Sequence, residues 1–243
     1  MQPDEYRKMA EVEDRMWYYR ALHRHVVGGV RPRSENVSVS LLDAGCGTGG
    51  LMRRLKERYP AWKLTGLDFS SLACDLARER SGEKVVEGSI TALPFSSAHF
   101  DVIISCDMVC QVSDPGRAVA EIFRCLQPGG IVLLTMPAYQ WMYSYHDREV
   151  ANLRRNIRME VNALLSAAGF EITRSTYWNM LPFPLAFIKR KILPSDASSS
   201  DVKLFPPLVE RFFNGLMRLK QFWLSLGGRM PFGSSVLTVA QKP

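Results

Sequence analysis

A chain of 243 residues, 47% hydrophobic and 23% charged, is long enough for one large domain and short for two, and its balance excludes disordered and fibrous classes. Residues 1–15 are charged throughout without an apolar core, so no secretory signal is expected; the most apolar short run, Leu181 to Ile188, holds two prolines and is too short to span a bilayer. A cytoplasmic location is the expectation, and the formal charge of +7 reads either as a solvated basic surface or as attraction to an anionic partner.

In chain order, residues 4–27 read as one helix, with Met9, Val12, Met16, Tyr19 and His23 at three- and four-residue steps, stopped by Gly28-Gly29. Arg31 to Asn36 is a polar linker. Strands are then expected at Val39–Asp43, Trp62–Leu67, Lys84–Glu87, Asp101–Cys106 and Ile131–Met136, with helices at Thr48–Tyr59, Ser70–Arg80 and Arg117–Leu126 between them. Such alternation means a parallel sheet covered by helices on both faces. Pro137 to Arg158 is aromatic and polar without clear periodicity. Met159–Ala168 is a helix and Glu171–Tyr177 a strand. Residues 179–232 hold a Ser-rich break at Ser195–Ser200 and an amphipathic helix at Leu208–Leu226; Ser235–Gln241 is an alternating strand. An insertion this long between the last two strands is usually functional.

Five cysteines (Cys46, Cys74, Cys106, Cys110, Cys125) form no Cys-x-x-Cys and have no histidine cluster beside them, so no metal site is expected and the thiols read as reduced.

The strongest local signal is Leu41-Leu42-Asp43-Ala44-Gly45-Cys46-Gly47-Thr48-Gly49-Gly50, where a buried strand turns into a helix. Glycines let a ligand approach the main chain, and the helix that follows offers free N–H groups. Gly45, Gly47 and Gly50 satisfy the dinucleotide pattern G-x-G-x-x-G, while Gly45, Gly47 and Gly49 satisfy G-x-G-x-G. Both place an acid at the end of the next strand to receive a ribose diol, and Asp68 stands there. Asp43, two residues before the first glycine, would repel a pyrophosphate and welcome a cationic ligand.

With Leu126-Gln127-Pro128-Gly129-Gly130 before the fifth strand, and Glu87-Gly88-Ser89-Ile90 then Leu93-Pro94-Phe95 after the third, the segment from Val37 to Met136 resembles the class I methyltransferases. The likeness is to the subgroup that includes ubiquinone- and menaquinone-type methyltransferases. It implies S-adenosylmethionine as cofactor, its methionine end on the Asp43, Gly45, Cys46, Gly47 and Gly49 loop, its ribose on Asp68 and its adenine against Phe69. Ser89 and Ile90 occupy the place where the family commonly has an acid reading the adenine amino group, so a hydroxyl or the backbone takes that role here. Cys106, Asp107 and Met108 pass beneath the methyl-bearing end, and Gln111 stands where relatives often show a histidine. The resemblance implies a Rossmann-like, doubly wound seven-stranded sheet with Ser235–Gln241 antiparallel, between the fifth strand and Glu171–Tyr177.

Met16-Trp17-Tyr18-Tyr19-Arg20, Met136-Pro137-Ala138-Tyr139-Gln140-Trp141, Tyr145-His146-Asp147 and Arg154-Arg155 resemble flanks of bacterial methyltransferases among glycan- and lipid-modifying enzymes, in which the N-terminal helix lies over the cofactor. Three parts are therefore expected: residues 1–36 capping the cofactor site, a core of 37–178 and 233–243, and an insertion at 179–232. For that insertion three readings stay open: simple packing on the domain, a lid over an apolar substrate, and peripheral membrane contact by a basic amphipathic helix. His146, in a loop leaving the carboxyl end of a strand, is the candidate general base, with Met108, Gln111, Tyr139 and Tyr143 as acceptor-lining candidates. The favoured function is methyl transfer to a small, apolar acceptor, lipid-like or polyketide-like, with an O-, C- or N-nucleophile equally open. A non-catalytic S-adenosylmethionine-binding module and a nucleic-acid methyltransferase are the alternatives; Cys106-Asp107-Met108-Val109 lacks the Pro-Pro-Tyr segment of base-amine enzymes. Oligomeric state is not legible.

Overall fold

A computed structural model of the chain describes residues 2–30, 38–192, 201–225, 228 and 230–243. The linker expected at Arg31–Asn36 and the Ser-rich break at Ser195–Ser200 lie outside the described residues. In chain order the elements are α1 (Pro3–Val12), α2 (Trp17–Gly29), β1 (Ser40–Ala44), α3 (Gly50–Arg58), β2 (Lys63–Asp68), α4 (Ser71–Ser81), β3 (Lys84–Glu87) and β4 (Phe100–Cys106). They continue with α5 (Pro115–Cys125), β5 (Leu126–Pro137), α6 (Tyr145–Glu149), α7 (Arg158–Ala167), β6 (Glu171–Trp178), α8 (Phe183–Phe187), a π-helical turn at Ile188–Ile192, α9 (Pro207–Ser225) and β7 (Ser235–Gln241).

The seven strands form one sheet in the order β3-β2-β1-β4-β5-β7-β6. β7 runs antiparallel to both β5 and β6, with Leu134 opposite Thr238 and Thr176 opposite Leu237, and the other pairs are parallel. Seven strands, with β7 antiparallel between β5 and β6, are what the family resemblance implied. Side chains alternate across the strands, so the sheet feeds two cores. Leu42, Ile103, Val132 and Leu134 pack with α5 and α7 on one face. Leu41, Val102, Ile104 and Leu133 pack with α2, α3 and α4 on the other. Helices on both faces explain why the strands read as continuous apolar runs.

One expectation fails. The single helix at 4–27 is two, parted by a turn and an extended Met16 (φ −66°, ψ 128°). Tertiary bonds outweigh local helix propensity there: Glu13 accepts from Thr48 Oγ1 (2.6 Å), and Asp14 accepts from Arg53 and Arg80 (2.6 Å each). The restart is capped from a distance, Trp17 N donating to Glu210 Oε2 of α9 at 2.7 Å. The stretch after β5 also holds the short α6, whose Ser144 N–H donates to Asp147 Oδ2 (3.0 Å).

Candidate active site

All strands except β7 point their carboxyl ends to the same edge of the sheet, and there the chain surrounds a cavity of about 370 Å³. That edge is where open α/β sheets bind ligands, and the volume suits a small molecule. The glycine loop forms its floor. Gly45 and Cys46 donate their N–H groups to Leu67 O (2.7 and 3.0 Å), which ties the loop to β2. Gly45 and Gly47 have φ of +93° and +53°, and a Cβ at either would come within 2.7 Å of Met108 or Met9 respectively. Both positions need glycine for conformation, and Gly45 also for space, since the Met9 methyl at Gly47 could swing aside.

Two carboxylates end the first two strands. Asp68, which closes β2, accepts from Gly47 N–H on Oδ2 (3.0 Å) and from Ser70 N–H and the Tyr6 hydroxyl on Oδ1 (3.1 Å each). Asp43 in β1 is 1% exposed, lines the cavity, and neither of its oxygens has a partner among the described residues. Burial, reinforced by Glu13 and Asp68, pushes its carboxyl up to about 8. A buried acid without partners is costly, and a positively charged group in the cavity would relieve it.

The N-terminal helices roof this half. Tyr6, Met9 and Glu13 line the cavity from above the glycine loop. Burial pushes the Glu13 carboxyl up, but His23, Thr48 and Arg80 outweigh it and hold it below the usual carboxylate range. From α2, the Tyr18 hydroxyl donates to Asp107 Oδ2 (3.1 Å), whose other oxygen accepts from Thr135 Oγ1 (3.0 Å). Asp107 sits just past β4 with φ +54°, and burial raises its carboxyl.

The far wall mixes apolar and polar groups. Pro137, Pro182, Leu185, Val202, Phe205 and Phe213 supply apolar surface. Arg155 holds Asp147 through Nε at 2.9 and 3.0 Å and donates Nη1 to Ala138 O. Asn152 Nδ2 donates to the same carboxylate (3.0 Å). Asn179 follows β6 at φ +59°, is 1% exposed, and its Oδ1 has no partner among the described residues.

Residues 42–134, from β1 through most of β5, match a family model described as a methyltransferase domain. Over those residues, less than half of its length, the chain is similar to the class I, S-adenosylmethionine-dependent methyltransferases. It is similar to the demethylmenaquinone methyltransferase of Deinococcus radiodurans, 37% identical over 103 residues that span 40% of this chain and 43% of that protein. It is also similar to the malonyl-[acyl-carrier protein] O-methyltransferase of Serratia marcescens, 36% identical over 103 residues, 42% of this chain and 40% of that protein. The matched segment thus spans less than half the length of these relatives. Among solved structures, geranyl diphosphate C-methyltransferase from Streptomyces coelicolor aligns at TM-score 0.64 and 16% identity, over 92% of this chain and 79% of that one. The [4+2]-cyclase SpnF aligns at 0.63 and 20%, over 93% and 82%. These two likenesses speak to fold alone.

The structure brings Asp43, Gly45, Cys46, Gly47, Asp68, Cys106, Met108 and Gln111, with His146 from beyond the matched segment, to one cavity. Phe69, 72% exposed, and Ser89 line a shallower depression beside Asp68 with Ser70, Ser71, Glu87 and Gly88. Ile90 is wholly buried in the core, so only its backbone can serve a ligand. Gly49 faces Ala77 of α4, where a Cβ would come within 2.8 Å of Ala77 Cα, so it serves helix packing. Tyr139 stacks on Tyr177 (5.4 Å between ring centroids) and the Tyr143 hydroxyl donates to Asn152 O (2.9 Å); neither lines the cavity.

His146 reaches the cavity, but its bonding alters the expected chemistry. The Asp201 N–H donates to its Nδ1 at 3.1 Å, so the neutral ring carries its hydrogen on Nε2 and offers a donor. Burial, with Arg190 adding, lowers its pKa to about 3, far below the ~6.5 of a free imidazole, so the ring stays neutral at ordinary pH. Tyr6, Glu13, Arg155 and Asn179 escaped the sequence reading. Only Arg155 carried a local signal, as half of Arg154-Arg155; the others acquire meaning when distant elements meet.

Proposed function

We propose that this protein transfers the methyl group of S-adenosylmethionine to a small, apolar, lipid-like acceptor. The carrying observation is that two buried acids at the ends of β1 and β2 share one cavity with a largely apolar far wall. The residues present suit the cofactor. Asp43 lacks a partner that an ammonium would supply, Asp68 is placed to accept ribose hydroxyls, and the glycine loop leaves main chain open between them. Phe69 and the Ser89 region would hold the adenine end, and α1 with α2 would form the cap. The cofactor supplies an already activated methyl group on a sulfonium. The protein's task is then mainly alignment, worth roughly 7–11 kcal/mol in well-oriented reactions.

On the acceptor side, Met108 and Gln111 lie beside Asp107 in the same lining, and the segment 179–232 contributes Pro182, Leu185, Phe205 and Phe213. Asn179 Oδ1 would accept a hydrogen bond from a hydroxyl or N–H of the acceptor, relieving a buried polar atom. If a proton must leave, Asp107, raised by burial, is the cavity group with the chemistry to take it; His146 in its neutral form would orient an oxygen as a donor. The relative named for demethylmenaquinone supports an apolar acceptor. Such acceptors partition into bilayers, so peripheral membrane contact belongs to the same reading.

The test is transfer of a labelled methyl group from S-adenosylmethionine into a cell extract. Label is expected in the organic-solvent fraction. Label recovered in the nucleic-acid fraction would favour the nucleic-acid alternative, and none in any fraction the non-catalytic one.

A further inference from the structure

Positive charge is concentrated in two stretches. Residues 183–192 and 207–225 hold six basic residues (Lys189, Arg190, Lys191, Arg211, Arg218, Lys220) and one acid, Glu210. These 29 residues therefore carry five of the seven net positive charges of the whole chain. The lone acid turns inward, where its carboxylate accepts from Trp17 N (2.7 Å) and Phe205 N (3.2 Å). Arg190 also turns in, donating to Asp201 beside the cavity, while Lys191, Arg211 and Arg218 are exposed.

The apolar part is ordered by helix geometry. In α9 the inner face is made by Phe213, which stacks on Trp17 at 5.0 Å, and by Met217, 1% exposed. The outer face carries Leu208, Phe212 and Trp223, exposed at 77%, 65% and 54%, at spacings of four and eleven residues that place them in one stripe. Arg211 and Arg218 are exposed along one edge of it. After β6, Leu185, Ile188 and Ile192 are exposed at 56%, 40% and 59%, with Lys191 exposed beside them. Both stretches also wall the cavity, through Leu185 and Arg190 on one side and Phe213 on the other.

We propose that these two stripes dock the protein on an anionic lipid bilayer, with the cavity reached from the docked face. The inference rests on the apolar-acceptor reading for its purpose but not for its test. A large apolar stripe edged by arginine is the pattern of helices that lie in the bilayer interface and draw on anionic headgroups. A two-fold pairing of copies through this face would bring like charges together, and a nucleic acid would meet Leu, Phe and Trp where phosphate needs cations. No helix among the described residues is long and apolar enough to cross a membrane, so the contact is peripheral.

The experiment is flotation of the full purified chain with vesicles of phosphatidylcholine alone and with phosphatidylglycerol added, at low and high salt. Binding is expected on the phosphatidylglycerol vesicles, weaker at high salt and lost on phosphatidylcholine. The pairs Arg211→Glu/Arg218→Glu and Leu208→Ser/Phe212→Ser should each lower partition about tenfold or more. S-adenosylhomocysteine should still shift the melting temperature of both, which reports an intact fold and cofactor site. Three results would overturn the proposal: no flotation of the wild type, flotation unchanged in both variants, or light scattering that shows a dimer dissolved by Leu208→Ser/Phe212→Ser. Loss of S-adenosylhomocysteine binding in the wild type with flotation intact would instead strike the methyltransferase reading alone.

Discussion

Asp43 concentrates the cost of the site in one side chain. Its folded pKa of about 8 lies above the ~3.9 of an unfolded aspartate, so the folded state holds the proton more tightly. Stability from that group is present below the unfolded value and is lost as pH rises through the folded one, across the window from about 4 to 8. Asp43→Asn removes the titration. In the ligand-free protein its melting temperature should exceed wild type at pH 8.5, with the gap closing toward pH 4. Affinity for S-adenosylhomocysteine should fall about tenfold or more, because a charge-assisted bond is lost. Melting scans across pH check this, and a variant less stable than wild type at pH 8.5 would mean that Asp43 has a partner in the ligand-free state. The residue was legible in sequence through its place two before Gly45. Its lack of partners was not, since that depends on how distant segments carrying Glu13 and Asp68 meet at the cavity it lines. His146 illustrates the same limit: its loop marked it as a cavity residue, yet the Asp201 N–H that fixes its hydrogen on Nε2 lies 55 residues away.

Among elements, α1 decides access to the ribose position. An ionised carboxylate offers about four lone-pair sites, and Asp68 already uses three on Gly47, Ser70 and Tyr6. A ribose diol brings two hydroxyls, so one existing donor must yield. Tyr6 is the side-chain donor of the three, Gly47 and Ser70 giving backbone N–H groups, and its hydroxyl is itself held protonated by burial and by Asp68. Tyr6→Phe should therefore tighten S-adenosylhomocysteine, by about 1 kcal/mol or roughly five-fold, the net worth of one hydrogen bond. Calorimetric titration decides it; weaker binding would place the Tyr6 hydroxyl on the ligand instead. The strands of the sheet, apart from their ends, were readable from apolar runs and turn residues. The break between α1 and α2 was not, because Glu13 and Asp14 look like ordinary surface acids until Thr48, Arg53 and Arg80 meet them, and because the cap on Trp17 comes from Glu210, 193 residues on.

At the scale of the whole molecule, the β3-β2-β1-β4-β5-β7-β6 order gathers Asp43, Asp68, Asp107 and Asn179 at one edge, although they span 136 positions of sequence. The edge was legible because strand direction follows from the alternation of strands and helices, while the antiparallel β7 came from resemblance alone. The stripe on α9 was visible as apolar periodicity, but only packing separates Phe213, turned in, from Phe212, turned out, and the exposed set Leu185, Ile188 and Ile192 had no periodic signal. The central claim is that this edge binds a sulfonium nucleoside and not a dinucleotide, since both share the glycine pattern. The deciding measurement is calorimetric titration of the full chain, and of Asp68→Ala, with S-adenosylhomocysteine and with NAD. One S-adenosylhomocysteine should bind per chain, Asp68→Ala should abolish the heat, and NAD should give none. Heat from NAD with none from S-adenosylhomocysteine would contradict the account.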